Sequence, residues 1–315
     1  MKTYFVVTID TEIDSSDWKP KLLWSLKNIR AIPKLQNLFK KYNVRPTYLI
    51  TYPIAKDKQS VNMFEEFLKK GEIEIGAHLH PWTTPPFSSE KEKIKLGYPH
   101  HSFLELEKLK MLTQTIENSF GKKPCSYRAG RYGFDEESLS FLKKLGYLVD
   151  TSISPNLNWS FDKGPNFSDF FETKPYFLNS QDIKKSGESS VLEIPISIIV
   201  NRNLPIFFKK IYNNLPFKLK YVFKKTGILK TLWLRPSVSS FEEMKAVCDF
   251  LLVEGNSVLN MMFHSNEIIA GTSPYIQTEK DSEEFFNKLA KILDYLINQK
   301  KLESKTLSEL YNLYS

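Results

Sequence analysis

Cysteine is almost missing from this chain of 315 residues: Cys125 and Cys248 stand alone, far apart and outside any CxxC pattern. That excludes a disulfide framework and a cysteine-built metal site, and it suits a reducing cytoplasm with both thiols as apolar filler. Long hydrophobic runs are missing as well; no uninterrupted apolar stretch is long enough to span a bilayer. Nor does a signal-peptide pattern open the sequence, since Met1-Lys2 leads directly into a short apolar run that ends in an acid. A cytoplasmic location is the expectation. There is no internal repeat.

The third shortage is local. Between Glu193 and Glu242 there is no acidic residue, while Arg202, Lys209, Lys210, Lys218, Lys220, Lys224, Lys225, Lys230 and Arg235 are basic. Setting these nine aside leaves 35 of the 44 basic residues against 36 acidic ones, so the net charge of +8 belongs to this segment. Its cations interleave with Phe207, Phe208, Ile211, Phe217, Leu219 and Phe223. One reading is an insertion, approximately residues 196–240, whose apolar side chains pack inward while the lysines stay in water. The sharper reading is a peripheral contact with anionic membrane, at its inner face. Nucleic acid is not expected as a partner, because no recognition motif accompanies the charge.

What the chain does contain is strand–helix alternation. Apolar, β-branched runs at 3–9, 45–50, 73–80, 125–128, 147–150, 191–195 and 257–263 read as strands. Between them, 22–42, with an interruption at Pro33, 61–70, 103–120, 134–145, 241–253 and 282–299 carry helical periodicity. Alternation of this kind predicts a parallel sheet, and seven strands suggest closure into a single α/β barrel over residues 1–315. Residues 156–190 read as an irregular functional loop, and His100-His101 as surface.

Asp10, His78, His80, Arg128, Asp150 and His264 all fall at or just beyond the C-terminal ends of these strands. In an α/β barrel those ends share one face, where active sites are built. His78 and His80 are two residues apart on one strand, so both imidazoles turn the same way. Each residue also has a plain structural reading: Asp10 as a turn cap, Glu12 as a solvated acid, His264 as a core histidine, Arg128 as a charge-neutralising partner. Together they form the kit for metal-assisted hydrolysis: a carboxylate and two imidazoles for an ion, a second carboxylate as base, a third histidine as acid.

In Thr8-Ile9-Asp10-Thr11-Glu12, His78-Leu79-His80-Pro81, Tyr127-Arg128-Ala129-Gly130-Arg131-Tyr132-Gly133, Asp150 and Met262-Phe263-His264-Ser265, the chain resembles the polysaccharide deacetylases of the NodB-homology type, carbohydrate esterase family 4. It looks most like their WalW-like branch, found among lipopolysaccharide and cell-surface polysaccharide genes. Two motifs depart from the family pattern: adjacent aspartates are replaced by Asp10-x-Glu12, and the histidines are separated by Leu79 alone.

The resemblance implies a distorted (β/α)7 barrel and removal of an N-acetyl group from a sugar, the saccharide being free or lipid-linked. It implies Asp10 as base, His264 as acid, Arg128 as the residue that orients Asp10, and Asp150 as the fourth motif's acid. Glu12, His78 and His80 would hold a divalent metal, with Zn2+ expected. Two rivals stand beside it: a sugar-binding protein on a decayed deacetylase scaffold, and a barrel glycosidase using Asp10 with Glu12 or Asp150 as its carboxylate pair.

Overall fold

The computed structural model describes all residues except 1, 20–22, 88–102, 161–163, 201–205, 217–218 and 220–229. His100-His101 and most of the basic segment's lysines therefore lie outside the described residues. The strands, in chain order, are β1 (Tyr4–Thr11), β2 (Thr47–Ile50), β3 (Glu74–Leu79), β4 (Ser126–Ala129), β5 (Val149–Asp150), β6 (Tyr176–Asn179) and β7 (Asp182–Ser186). They continue with β8 (Leu192–Glu193), β9 (Ile198–Val200), β10 (Thr231–Trp233), β11 (Val258–His264) and β12 (Glu303–Ser304).

Seven of them run parallel in the order β11-β1-β2-β3-β4-β5-β8, and these are the seven strands expected from the sequence. Helices cover the outside. The barrel is distorted because β8 and β11 do not pair as strands. Side chains and irregular backbone bridge the gap instead: Asn260 Nδ2 donates to the Ile194 carbonyl at 3.0 Å, and Ser197 N–H donates to the Asn260 carbonyl at 3.1 Å.

Residue parity sorts the barrel into two compartments. Even positions of β1 and β11 face the lumen, where Val6, Leu49, Leu192 and Val258 form a small apolar floor beneath Thr8, Asp10 and Asn260. Odd positions such as Phe5, Val7, Ile9, Met261 and Phe263 face the helices and join the main core. The polar residues of the lumen sit above the floor, toward the strand C-termini.

Three expectations need correction. Pro33 does not interrupt a helix; it lies in the first turn of the helix Ile32–Lys41, where a missing N–H costs nothing. The stretch 156–190 is not wholly irregular, because β6 and β7 form an antiparallel hairpin and β6 extends the sheet beyond β8. The last helix starts at Glu279 behind a Thr278 capping box and gives way to a π-helical turn at Asp294–Gln299. Within the insertion, β9 and β10 pair antiparallel, and the helix Ile206–Asn214 lies between them in sequence. Among the described residues no helix is long and apolar enough to cross a membrane.

Candidate metal centre and active-site cleft

Register brings the site together. Asp10 lies opposite His264 across β1 and β11, and His78 lies opposite Arg128 across β3 and β4. A cleft of about 480 Å³ opens here, with Asp10, Glu12, His78, His80 and His264 in its wall. Trp18, Trp82, Tyr132, Trp159 and Tyr275 add flat aromatic surface. Volume and lining are those of a small-ligand site.

Glu12, His78 and His80 are buried and offer ligand atoms that all lie within 4.8 Å of one another. His80 Nε2 is 3.1 Å from Glu12 Oε2. The protonation states suit a cation. His78 Nδ1 lies 2.9 Å from the Arg128 carbonyl, which fixes the proton there and leaves Nε2 with its lone pair toward the cluster. Burial pushes both imidazoles down, most strongly His80, so they stay neutral as ligands must. Burial pushes Glu12 up to about 7, the mark of a carboxylate that lacks a positive neighbour of sufficient strength. Asn266 Nδ2 donates to Glu12 Oε1 at 3.0 Å and fixes its other oxygen toward His80. These residues fit a divalent ion of the zinc class: two neutral imidazoles and a carboxylate, leaving room for exchangeable ligands.

The local backbone is arranged around the histidines. A Cβ at Gly130 would meet the Leu79 carbonyl at 2.5 Å and His80 Cδ2 at 2.7 Å, so only glycine lets the turn after β4 lie against His80. Arg131 and Tyr132 then take positive φ values of 54° and 58°. Two consecutive non-glycine residues in that region are costly and are held by their surroundings. Arg131 donates to the Trp18 carbonyl at 2.9 Å, and the Tyr132 ring stacks on Trp159 with centroids 5.1 Å apart.

Asp10 sits beside the cluster with a different role in reach. Its Oδ1 accepts from Arg128 Nη1 at 2.7 Å, while Oδ2 lies 3.8 Å from His78 Nε2 and 3.6 Å from His264 Nε2. Burial alone would raise its pKa, but the Arg128 guanidinium, with His78 and His264, outweighs burial and holds the carboxyl below its usual range. Arg128 is itself fixed inside the barrel. Its remaining donors go to the Thr151 carbonyl at 2.8 Å, Thr8 Oγ at 2.8 Å and Thr151 Oγ at 3.1 Å. A buried charge with all three of its nitrogens hydrogen-bonded is a rigid support, not a mobile ligand.

The structure does not bring Asp150 to the cleft. Val149 belongs to the lumen floor, so Asp150 turns outward toward the helices. There it accepts from Ser152 Oγ at 2.7 Å and Ser152 N–H at 3.0 Å, beside Glu193. Burial, then the neighbouring Asp150 carboxylate, push Glu193 well up. Asp150 reaches the site only through Ser152, whose hydroxyl accepts from Ala129 N–H at 2.8 Å at the end of β4.

Two residues that sequence reasoning did not single out complete the site. Glu267 is fully buried and lies 3.1 Å from His264 Nδ1. Arg235, counted above with the basic segment, pairs with Glu267 and lines the cleft. Ser237 Oγ adds a third donor to Glu267, at 2.7 Å. Burial would depress His264, but the Glu267 carboxylate overcomes both burial and Arg235, so His264 is raised. His264 Nδ1 thus lies between the Glu267 carboxylate at 3.1 Å and Arg235 Nη2 at 3.0 Å, while Nε2 faces Asp10 and the cleft. The signal for Glu267 was its spacing of three from His264, the reach of one tight turn; nothing local signalled Arg235.

This pairing carries a sign that can be tested. If the chain is a hydrolase with His264 as its general acid, that catalysis would be present at lower pH and lost as pH rises through the raised His264 pKa. In Glu267→Gln, Arg235 remains near His264 without its counter-charge, so the His264 pKa drops. The alkaline limb of the kcat/KM profile should therefore move down by about one pH unit or more, with the acid limb set by Asp10 unmoved. An unmoved alkaline limb would remove Glu267 from this role.

No protein-family model and no curated protein sequence matches the chain. Solved structures do. A candidate glycoside hydrolase/deacetylase from Parabacteroides distasonis superposes with a TM-score of 0.65 at 11% identity, covering 99% of this chain and 71% of that one. PuuE allantoinase superposes with a TM-score of 0.55 at 13% identity, covering 99% and 89%. A GH57 branching enzyme from Thermococcus kodakaraensis gives a TM-score of 0.54 at 11% identity, covering 100% and 72%. At these identities the likeness establishes the fold: a barrel of the deacetylase and glycosidase type.

Proposed function

We propose that the protein is a metal-dependent hydrolase that removes an N-acetyl group from a sugar of a cell-surface polysaccharide or its precursor. One observation carries this reading: the Glu12–His78–His80 cluster shares its cleft with an ionised carboxylate, Asp10, and a raised-pKa histidine, His264. Two groups of opposite protonation preference, both within reach of one bound carbonyl, are an acid–base pair. The sugar class follows from the sequence motifs and agrees with the aromatic walls of the cleft, on which a pyranose ring can lie.

Glu12, His78 and His80 would hold a divalent ion such as zinc, which would supply polarisation of the acetyl carbonyl and activation of water. Asp10 takes the proton of the attacking water; its anchor on Arg128 keeps it ionised and oriented for this. His264 gives its Nε2 proton to the leaving sugar nitrogen as the C–N bond breaks, and Glu267 stabilises the imidazolium before transfer. Acetate and a free amino sugar are the products.

The test is acetate release from N-acetylated oligosaccharides, with and without chelator. Acetate that appears with the metal-loaded protein and stops in chelator supports the reading. Chelator-resistant release of a sugar would favour the glycosidase, and saccharide binding without product would favour the decayed scaffold.

A further inference from the structure

The insertion presents an apolar face that the barrel does not cover. In the helix Ile206–Asn214, Tyr212 and Asn213 point inward. Tyr212 packs on Val200, and Asn213 Nδ2 donates to the Ser168 carbonyl at 2.8 Å. On the other side Phe207 is 68% exposed, Phe208 54% and Ile211 46%, at spacings of three and four that make one stripe. Leu219, a few residues on, is 48% exposed. An apolar stripe of this size in water marks a contact surface.

Charge selects the partner. Of the nine basic residues between Glu193 and Glu242, Arg235 is matched by Glu267 and Lys230 by Glu243. The other seven are Lys209 and Lys210 within the helix and, flanking it in sequence, Arg202, Lys218, Lys220, Lys224 and Lys225, and no acidic residue occurs along this stretch of sequence. Phenylalanines and isoleucine set among lysines fit an anionic lipid surface, where the rings enter the headgroup boundary and the ammonium groups meet phosphate. A nucleic-acid backbone would use the lysines but has no place for Ile211 and Leu219.

The helix is also tied to the cleft. Asn213 contacts Asn156 at 3.3 Å, Asn156 Nδ2 donates to the Ile198 carbonyl at 3.1 Å, and the same loop carries Trp159 into the cleft wall. We infer that the helix Ile206–Asn214 docks the protein on an anionic membrane surface, which keeps the cleft beside substrates held at that surface.

The experiment is co-sedimentation of the full chain with phosphatidylcholine vesicles, with and without phosphatidylglycerol, at low and high salt. Binding to the anionic vesicles alone is expected, released by high salt. Partition should fall by about tenfold or more in Phe207→Ser/Phe208→Ser and in Lys209→Gln/Lys210→Gln. These helix side chains include exposed positions, and circular dichroism confirms that each variant is folded. No binding at low salt, equal binding to phosphatidylcholine alone, or partition unchanged in both folded variants overturns the inference. So does a wild-type dimer in sedimentation that Phe207→Ser/Phe208→Ser makes monomeric without vesicle binding, or a salt-sensitive complex with duplex DNA in the absence of vesicle binding.

Discussion

His78→Ala and His80→Ala are each expected to abolish stoichiometric zinc binding and, with it, hydrolysis. Both imidazoles are buried, both are kept neutral by that burial, and each supplies one of three ligand atoms within 4.8 Å. Three protein ligands are the usual number at a catalytic zinc site, so two are too few to hold the ion against solvent. Removing either ring also leaves Glu12 near a neutral pKa, half protonated and a poorer ligand still. Metal content after dialysis, measured by atomic absorption on the folded variants, decides the point. Zinc stoichiometry unchanged in both would falsify the assignment of Glu12, His78 and His80 as the metal centre. Gly130→Ala should also disturb the site, because its Cβ would meet both the Leu79 carbonyl and the His80 ring.

Asp10→Asn should keep the metal and lose turnover. Asparagine has nearly the same shape and still offers Arg128 an oxygen, so the change removes charge and basicity while leaving the packing. Loss of a positioned general base typically costs on the order of a hundredfold to ten-thousandfold in rate. The expected result is therefore acetate release reduced by at least about two orders of magnitude, with zinc stoichiometry near wild type. Asp10→Ala is a worse probe. It strips Arg128, fully buried and committed to Thr8, Thr151 and Asp10, of its one ion-pair partner among the described residues. An unpaired buried guanidinium costs about 3–5 kcal/mol, enough to confound loss of activity with loss of fold. A thermal melt beside each assay separates the two. Wild-type turnover in a folded, metal-loaded Asp10→Asn protein would transfer the base role to another group, Glu12 being the nearest candidate.

The two carboxylates show why identical chemistry diverges in one cleft. Asp10 and Glu12 are two residues apart at the end of one strand and face the same lumen. Asp10 meets a fixed guanidinium and is held down; Glu12 meets an amide, two neutral imidazoles and the more distant His264, and is pushed up to about 7. A bound divalent ion would act on Glu12 as Arg128 acts on Asp10, by supplying the missing positive charge. In the proposed function, the division into base and metal ligand would rest on which cation each acid reaches.

By itself the sequence determined the seven parallel strands and the cluster of Asp10, Glu12, His78, His80, Arg128 and His264 near their C-terminal ends. These were legible because strand periodicity is local, and because a parallel barrel puts every strand's C-terminal end on one face whatever the details of packing. Asp150 shared that position in sequence, but β5 is two residues long and shows no alternation from which its outward direction could be read. Only the tertiary structure decided that it pairs with Glu193 behind the sheet. It also decided that Arg235 leaves the basic segment to meet Glu267, and that Trp18 packs against His264 with Tyr275 behind it. Those contacts join residues tens to hundreds of positions apart. Their partners are chosen by how the loops fold back over the barrel mouth, which no local pattern of polarity encodes.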